Sequence, residues 1–340
     1  MRVRLSHHTT SSLITGLALV LGLVLACQSV EAQELETDLA GLALENAQRY
    51  VEPVTFGLGY AMNGGFFDNP GSLRRFGFEF GARVMGSLPS DASKTFDAIL
   101  PDEIVYNGQT FQNPYRVRGG DPSTPTAAGE GPGVVLEPRA AFAAYLLAQG
   151  ENPEDYTIQF PEGAGVPAVP FLVAHAVIGI GWGTEVAVRM IPEVEIDEEV
   201  GGVSSYGFGI KHSVSQWFPG PSPVDVAVWY GRQNVKVGDF LDGNSNQYGL
   251  MVGRGFGPLT LYGTGMIRNA SVDVTYTVEN PDDNPALPPD GEELGFSSDI
   301  DSRMVFALGA RLKLLILNLS TQYTADEFTT LSVKVGLGFP

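Results

Sequence analysis

The chain has 340 residues, with 42 Gly, 23 Pro, a single Cys and a formal net charge of −19. That charge repels a phosphate backbone and excludes nucleic acid as a partner. Abundant Gly, few helix signals and ordinary apolar content leave two classes open, a soluble β-sandwich or a transmembrane β-barrel.

Arg2 and Arg4 precede an apolar run from Leu13 to Ala26, followed by small residues, which is the layout of a secretory signal over residues 1–32. Val30-Glu31-Ala32 before Gln33 suits ordinary signal peptidase and is the preferred site; Val24-Leu25-Ala26-Cys27 competes as a lipobox with an atypical Leu25. Cleavage at Gln33 leaves a mature chain without cysteine and hence without a disulfide. After the signal, the longest apolar stretch, Val169 to Ile180, is short and holds Pro170 and His175, so a spanning helix is excluded.

Residues 33–52 predict a short N-terminal helix over Thr37–Tyr50, capped by Asp38, with Leu39, Leu42, Leu44 and Ala47 on one side. It is expected at the periplasmic mouth as a plug, or else resting on the membrane or frayed as a simple leader. The barrel is then expected over 53–340. From Pro53 to Asn63, Val54, Phe56, Leu58, Tyr60 and Met62 alternate with Thr55, Gly57, Gly59 and Ala61. Phe76, Phe78, Phe80, Ala82 and Val84 alternate with Arg75, Gly77, Glu79, Gly81 and Arg83. A large apolar face opposite a face of glycine and charge is the pattern of strands with lipid on one side and a lumen on the other.

The 87–167 stretch is too long for a plain loop. Its middle, Gly119–Gly133, reads as irregular, and Pro138–Gln149 as a short helix stopped by Gly150. Nine further strands are expected near 169–180, 183–191, 204–214, 223–234, 246–255, 258–278, 301–312, 315–324 and 328–339. Single-chain bacterial barrels favour an even count, so the eleven segments ask for one more strand, or three, within 87–167. Glu103–Val117 is the best candidate, as one strand or as a hairpin turning at Asn107-Gly108. Twelve strands are preferred over fourteen. One added strand puts the tight turns at 181–183, 255–257 and 313–314 on the periplasmic side, with an aromatic girdle of Trp182, Trp217, Phe218, Phe256 and Phe339. The acidic segments 192–203 and 279–300 then face outward. They read as solvated loops, with divalent cations as a weaker alternative because no EF-hand spacing is present.

Several stretches carry a resemblance: Asn46-Ala-Gln-Arg-Tyr50-Val-Glu-Pro53, Gly57-Leu-Gly59-Tyr-Ala-Met-Asn63-Gly-Gly65, Gly183-Thr-Glu185-Val-Ala-Val-Arg189-Met-Ile-Pro192 and Tyr206-Gly-Phe-Gly209-Ile-Lys211-His212-Ser-Val-Ser-Gln216-Trp217. Together they resemble a family of uncharacterised exported barrel proteins, a domain of unknown function. The plan is also distantly similar to the long-chain fatty acid transporters of the outer membrane. The resemblance implies a bacterial outer-membrane barrel surrounded by lipid, and brings no biochemical activity with it.

Catalytic chemistry is not expected. His175 and His212 are the only histidines after the signal, too few for a His/Cys metal cluster, and strand parity puts His212 on the lipid face, away from any triad. Gly179-Ile-Gly181-Trp-Gly183 joins two strands and is a hairpin turn, not a dinucleotide loop, so no cofactor is expected. Strand parity points Arg75, Glu79, Arg83, Glu185, Arg189, Lys211, Asp225, Arg311 and Lys334 inward. Two readings follow. The first is passive transport or binding of small, anionic or amphipathic solutes through a basic lumen. The second is a structural or surface-interaction barrel whose lumen is closed by salt bridges, Glu79 with Arg75 and Arg83, and Glu185 with Arg189.

Overall fold

A computed structural model describes residues 44–340 except 198–200, 219–221, 279, 281–286 and 340, and only the backbone of Ile196, Asp197 and Gly201. The secretory signal, both cleavage sites and the start of the expected N-terminal helix lie outside the described residues.

Ten antiparallel strands close on themselves. They are β1 (Phe78–Leu88), β2 (Val169–Gly181), β3 (Thr184–Asp197), β4 (Gly201–Ser213), β5 (Asp225–Val237), β6 (Leu241–Phe256), β7 (Leu259–Thr277), β8 (Glu293–Leu314), β9 (Leu317–Ala325) and β10 (Thr329–Phe339). Each pairs with its sequence neighbour, and β1 closes the ring on β10, Phe78 opposite Phe339 and Leu88 opposite Thr329. Closure leaves the barrel sheet no free edge. Alternation does the rest: Phe80, Val84, Phe306, Leu308, Val333 and Val335 are exposed outward, while Arg83, Arg189 and Lys211 on the other parity are buried. An apolar outer belt over a polar interior is the surface of a barrel built to sit in hydrocarbon. Among the described residues no helix is long and apolar enough to cross a membrane.

The count of ten corrects the expected twelve, and the alternative of fourteen, at two places. Residues 53–62 are not a strand. They belong to helix α1 (Leu44–Met62), which runs past the expected end at 52 with Pro53 inside it. Glu103–Val117 is not a barrel strand either; 103–106 and 109–112 form a separate hairpin around Asn107 and Gly108, both at positive φ. Two strands too many preserve parity, so the short turns still gather at one end, but helix α1, expected at the mouth on that side, lies at the opposite end, bound to Ile99 and Glu162. Tight turns at 182–183, 257–258 and 315–316 share one end with Phe78 and Phe339, and Trp182, Trp217, Phe218 and Phe256 are exposed there. The acidic 192–203 segment is also less of a loop than expected, because β3 continues to Asp197 and β4 starts at Gly201.

The opposite end carries the 89–168 insertion, which is a folded cap. Short strands pair 95–97 with 123–125, 130–131 with 163–164, and 135–138 with both 115–117 and 158–159. Helix α2 (Ala140–Gln149) ends at Gly150, which sits at φ 84°. Tyr115, Leu136, Phe142, Leu146, Tyr156, Ile158 and Phe160 form the cap's core, continuous with Ala47, Tyr50 and Val51 of α1. Within the stretch expected to be irregular, 119–133, two of these short strands therefore lie.

Candidate functional site: a lumen threaded by its own chain

Helix α1 enters the barrel from the cap end. Its first turns are gripped by the insertion: Asn46 Nδ2 donates to the Ile99 carbonyl and its Oδ1 accepts from the Ile99 amide, both at 2.9 Å. The Tyr50 hydroxyl donates to the Glu162 carbonyl at 2.9 Å. Gly57 then passes Val169, the first residue of β2, so closely that a Cβ would lie 2.5 Å from its Cγ2. A Cβ on Gly59 would lie 2.8 Å from Ile300 Cδ1 and 3.0 Å from Ala270 Cβ. The glycines are there because the helix meets the wall on opposite sides. Tyr60 stacks on Phe328 at the rim, ring centroids 5.2 Å apart.

Beyond Met62 the chain leaves the helix and continues down the lumen as an irregular strap. Phe66 packs against Gly209 and Gly231 in the wall. Asp68 is buried at the centre of a charge cluster, with Arg83 Nη2 at 2.7 Å, Lys334 Nζ at 2.5 Å and Arg311 Nη1 at 3.4 Å. Ser320 Oγ also donates to it at 2.8 Å. Glu79 accepts from Arg311 and, at 3.1 Å, from Lys334. Lower down, Lys211 pairs with Glu185 at 2.8 Å and donates to the carbonyls of Asn69 and Gly71. The Leu73 amide donates to the other Glu185 oxygen. The Phe76 amide bonds Gly179 at the far end, and the chain turns into β1. Among these groups lies a cavity of about 10 Å³, room for one water.

The lumen thus holds Glu79, Arg83, Glu185, Arg189, Lys211, Arg311 and Lys334, all buried. Arg75 is elsewhere: it is exposed at the short-turn end, stacked over Phe76 and Trp182 at 4.9 and 5.6 Å, because β1 begins only at Phe78. Asp225 is half-buried at the same rim, accepting from Ser215 at 3.3 Å. The expected ion pairs also change partners. Glu79 meets neither Arg75 nor Arg83, and Arg189 does not meet Glu185. Among the described residues Arg189 has no carboxylate partner; it donates to the Gly64 carbonyl at 2.8 Å and lies 3.7 Å over the Phe66 ring. The face of that ring supplies partial negative charge to a desolvated cation.

Asp68 was not among the predicted site residues, since it sits in an aperiodic segment. The signal was present nonetheless. Six inward cations faced three acids, and Asp68 is the single acid between Glu52 and Glu79. A rim cluster was also missed: Arg268 on β7 pairs with Asp326 at 2.7 Å and lies 4.7 Å over Tyr60, and Arg303 on β8 reaches Asp326 and Glu327, the two acids lying in the β9–β10 turn. His175 is buried inside, accepting from Arg83 Nε at 3.3 Å. His212 lies outside the lumen against Trp217, ring centroids 4.8 Å apart. Among the described residues no group of three or more His, Cys, Asp or Glu is placed to hold a metal ion. Glu198, Glu199, Glu279, Asp282 and Asp283 of the acidic clusters lie outside the described residues.

A model of a family of unknown function, DUF6588, matches residues 10–339. The chain belongs to this family. No curated protein matches it. Among solved structures it is similar to Ail, the attachment invasion locus protein of Yersinia pestis, in complex with a heparin analogue (8% identity, 77% of this chain and 97% of that one, TM-score 0.22). It is also similar to a loop-deleted OmpT of Vibrio cholerae (8% identity, 77% and 98%, TM-score 0.24) and to the Ralstonia pickettii toluene transporter TbuX (9% identity, 86% and 92%, TM-score 0.25). The expected likeness to long-chain fatty acid transporters is not confirmed by these comparisons.

Proposed function

We propose that this DUF6588 protein is a bacterial outer-membrane barrel with a closed lumen, serving as a rigid mount for the cap and long loops it holds at the cell surface. One observation carries this reading: the chain from Gly57 to Phe76 occupies the lumen from rim to rim, pinned by the Asp68 and Glu185 clusters. A transport path would require the strap to leave and strand several buried cations, a cost of several kcal/mol for each. The orientation follows from turn length, with short turns on the periplasmic side and the cap, long loops and acidic segments outside. Export by the N-terminal signal and insertion into outer-membrane lipid belong to the same reading.

Reconstitution into planar bilayers tests it. The folded protein is expected to give no steady conductance. A stable, anion-selective single-channel current from the same preparation would replace the mount with the basic-lumen transport reading.

A further inference from the structure

The direction of the strap has a consequence for the segment that precedes it. Phe76 lies at the short-turn end, beside Gly179 and the start of β1. Met62 lies inside the mouth, and Leu44 lies at the cap end. The barrel's first strand therefore begins at one face, while the chain that leads to it comes from the other. An outer-membrane barrel whose N-terminal segment simply waited in the periplasm would enter β1 from the short-turn side without crossing the lumen.

The cap is built around the crossing chain. The paired bonds between Asn46 and Ile99 and the Tyr50–Glu162 bond all join α1 to the insertion. The Ala127 amide donates to the Tyr50 carbonyl at 2.9 Å. Ala47, Tyr50 and Val51 are fully buried in the core they share with the cap. Glu45 and Arg49, on the same turns, are by contrast exposed. The chain is thus held at a defined exit on the cap face, and the lumen below it is packed tightly enough that a Cβ at Gly57 or Gly59 would clash.

We infer that the barrel passes its own N-terminal segment through the membrane and presents the residues before Leu44 on the face that carries the cap. With the orientation proposed above, that face is the cell surface, and the barrel displays its own N-terminus there. Assembly must accordingly thread or trap the N-terminal segment before the β1–β10 seam closes, because the closed lumen leaves no room for a chain to pass afterwards.

Tag accessibility tests this in intact cells. One epitope is inserted between Thr37 and Asp38, beyond both candidate cleavage sites. A second follows Asp239, in the β5–β6 turn at the cap end. A third follows Gly257, in the β6–β7 turn at the short-turn end. Each variant is first checked for heat-modifiable gel migration, the sign of a folded barrel. The first two tags are expected to bind antibody on intact cells, and the Gly257 tag only after permeabilisation. Reaction of the Asp239 tag on intact cells with the Thr37 tag shielded would overturn the inference and leave the proposed orientation standing. The reverse pattern, with the Gly257 tag exposed and the other two shielded together, would keep the threading and overturn the orientation. The untagged protein gives a second readout. Glu-C added to intact cells is expected to clip both after Glu36 and within 192–203, at the cap end, and loss of the Glu36 cut until permeabilisation, with the 192–203 cut retained, would refute the threading.

Discussion

Replacing Asp68 by Asn removes one charge and almost no volume, so it isolates the electrostatics of the strap. The carboxylate lies within 4 Å of Arg83, Arg311 and Lys334 and is nearly inaccessible to water. Each hydrogen bond from a charged donor contributes about 1.5–3 kcal/mol, but the three are not additive because Glu79 still serves Arg311 and Lys334. Arg83 loses most, since Asp68 is its only carboxylate among the described residues. Breaking a buried ion pair from one side costs about 3–5 kcal/mol, and that is the expected loss. Denaturant unfolding in lipid vesicles, followed by heat-modifiable gel migration, measures it as a fall in midpoint. Adding Lys334→Met to Asp68→Asn removes one of the stranded cations and should restore part of the loss. A single-variant change below about 1 kcal/mol, or a double variant worse than the sum of its parts, would mean that Asp68 does not neutralise this cluster, and would remove the main restraint assigned to the strap.

Three further outcomes are expected. Gly59→Leu should destabilise the folded barrel by about 1–3 kcal/mol in the same assay, because Ile300 and Ala270 leave no space for a side chain; an unchanged midpoint would place α1 elsewhere. Val333→Arg, mid-strand and opposite Val84, should cost about 2–4 kcal/mol, while Phe78→Arg, at the short-turn rim opposite Phe339, should cost about 0–1 kcal/mol; equal costs would contradict the assigned membrane belt. In the cap, burial and hydrogen bonds with Tyr106 and Glu151 push the Tyr156 phenol well above its ordinary value. The unfolded cap therefore ionises first. Cap stability should be intact below pH ~10 and decline above it, and Tyr156→Phe should weaken that alkaline decline in an unfolding titration.

Most of the barrel was legible because its strands keep a period of two along their length. Phe80/Val84 on β1 and Val333/Val335 on β10 show large residues outward, with Glu79, Arg83 and Lys334 inward, in the sequence and in the structure alike. Turn chemistry was equally readable, as with Gly181-Trp-Gly183 and Gly150. The site was legible only as a set of inward charges. Their partners were not, because cross-barrel neighbours are fixed by closure and by the strap, and neither leaves a local signature. Strand parity assigns a face, whereas Asp68 reaches Arg83, Arg311 and Lys334 on three different strands from no strand at all.

The misread segment 53–63 shows why a helix wins where alternation suggests a strand. A closed barrel offers no edge for another strand to pair with, so a chain inside it must satisfy its backbone hydrogen bonds within itself, as α1 does, or with wall side chains, as the strap does with Arg189, Lys211 and Glu185. An α-helix does so over Leu44–Met62 despite Pro53 and two glycines, each of which lowers its intrinsic stability. Those same residues are what the lumen requires. Gly57 and Gly59 let the backbone approach Val169 and Ile300, and the larger Val54, Phe56 and Leu58 are left half-buried around the remaining surface. Small and large residues alternate here because a helix enclosed on several sides must fit walls at unequal distances. On β1, by contrast, the small face carries Glu79 and Arg83 beside its glycines and pairs with β2 and β10 as wall.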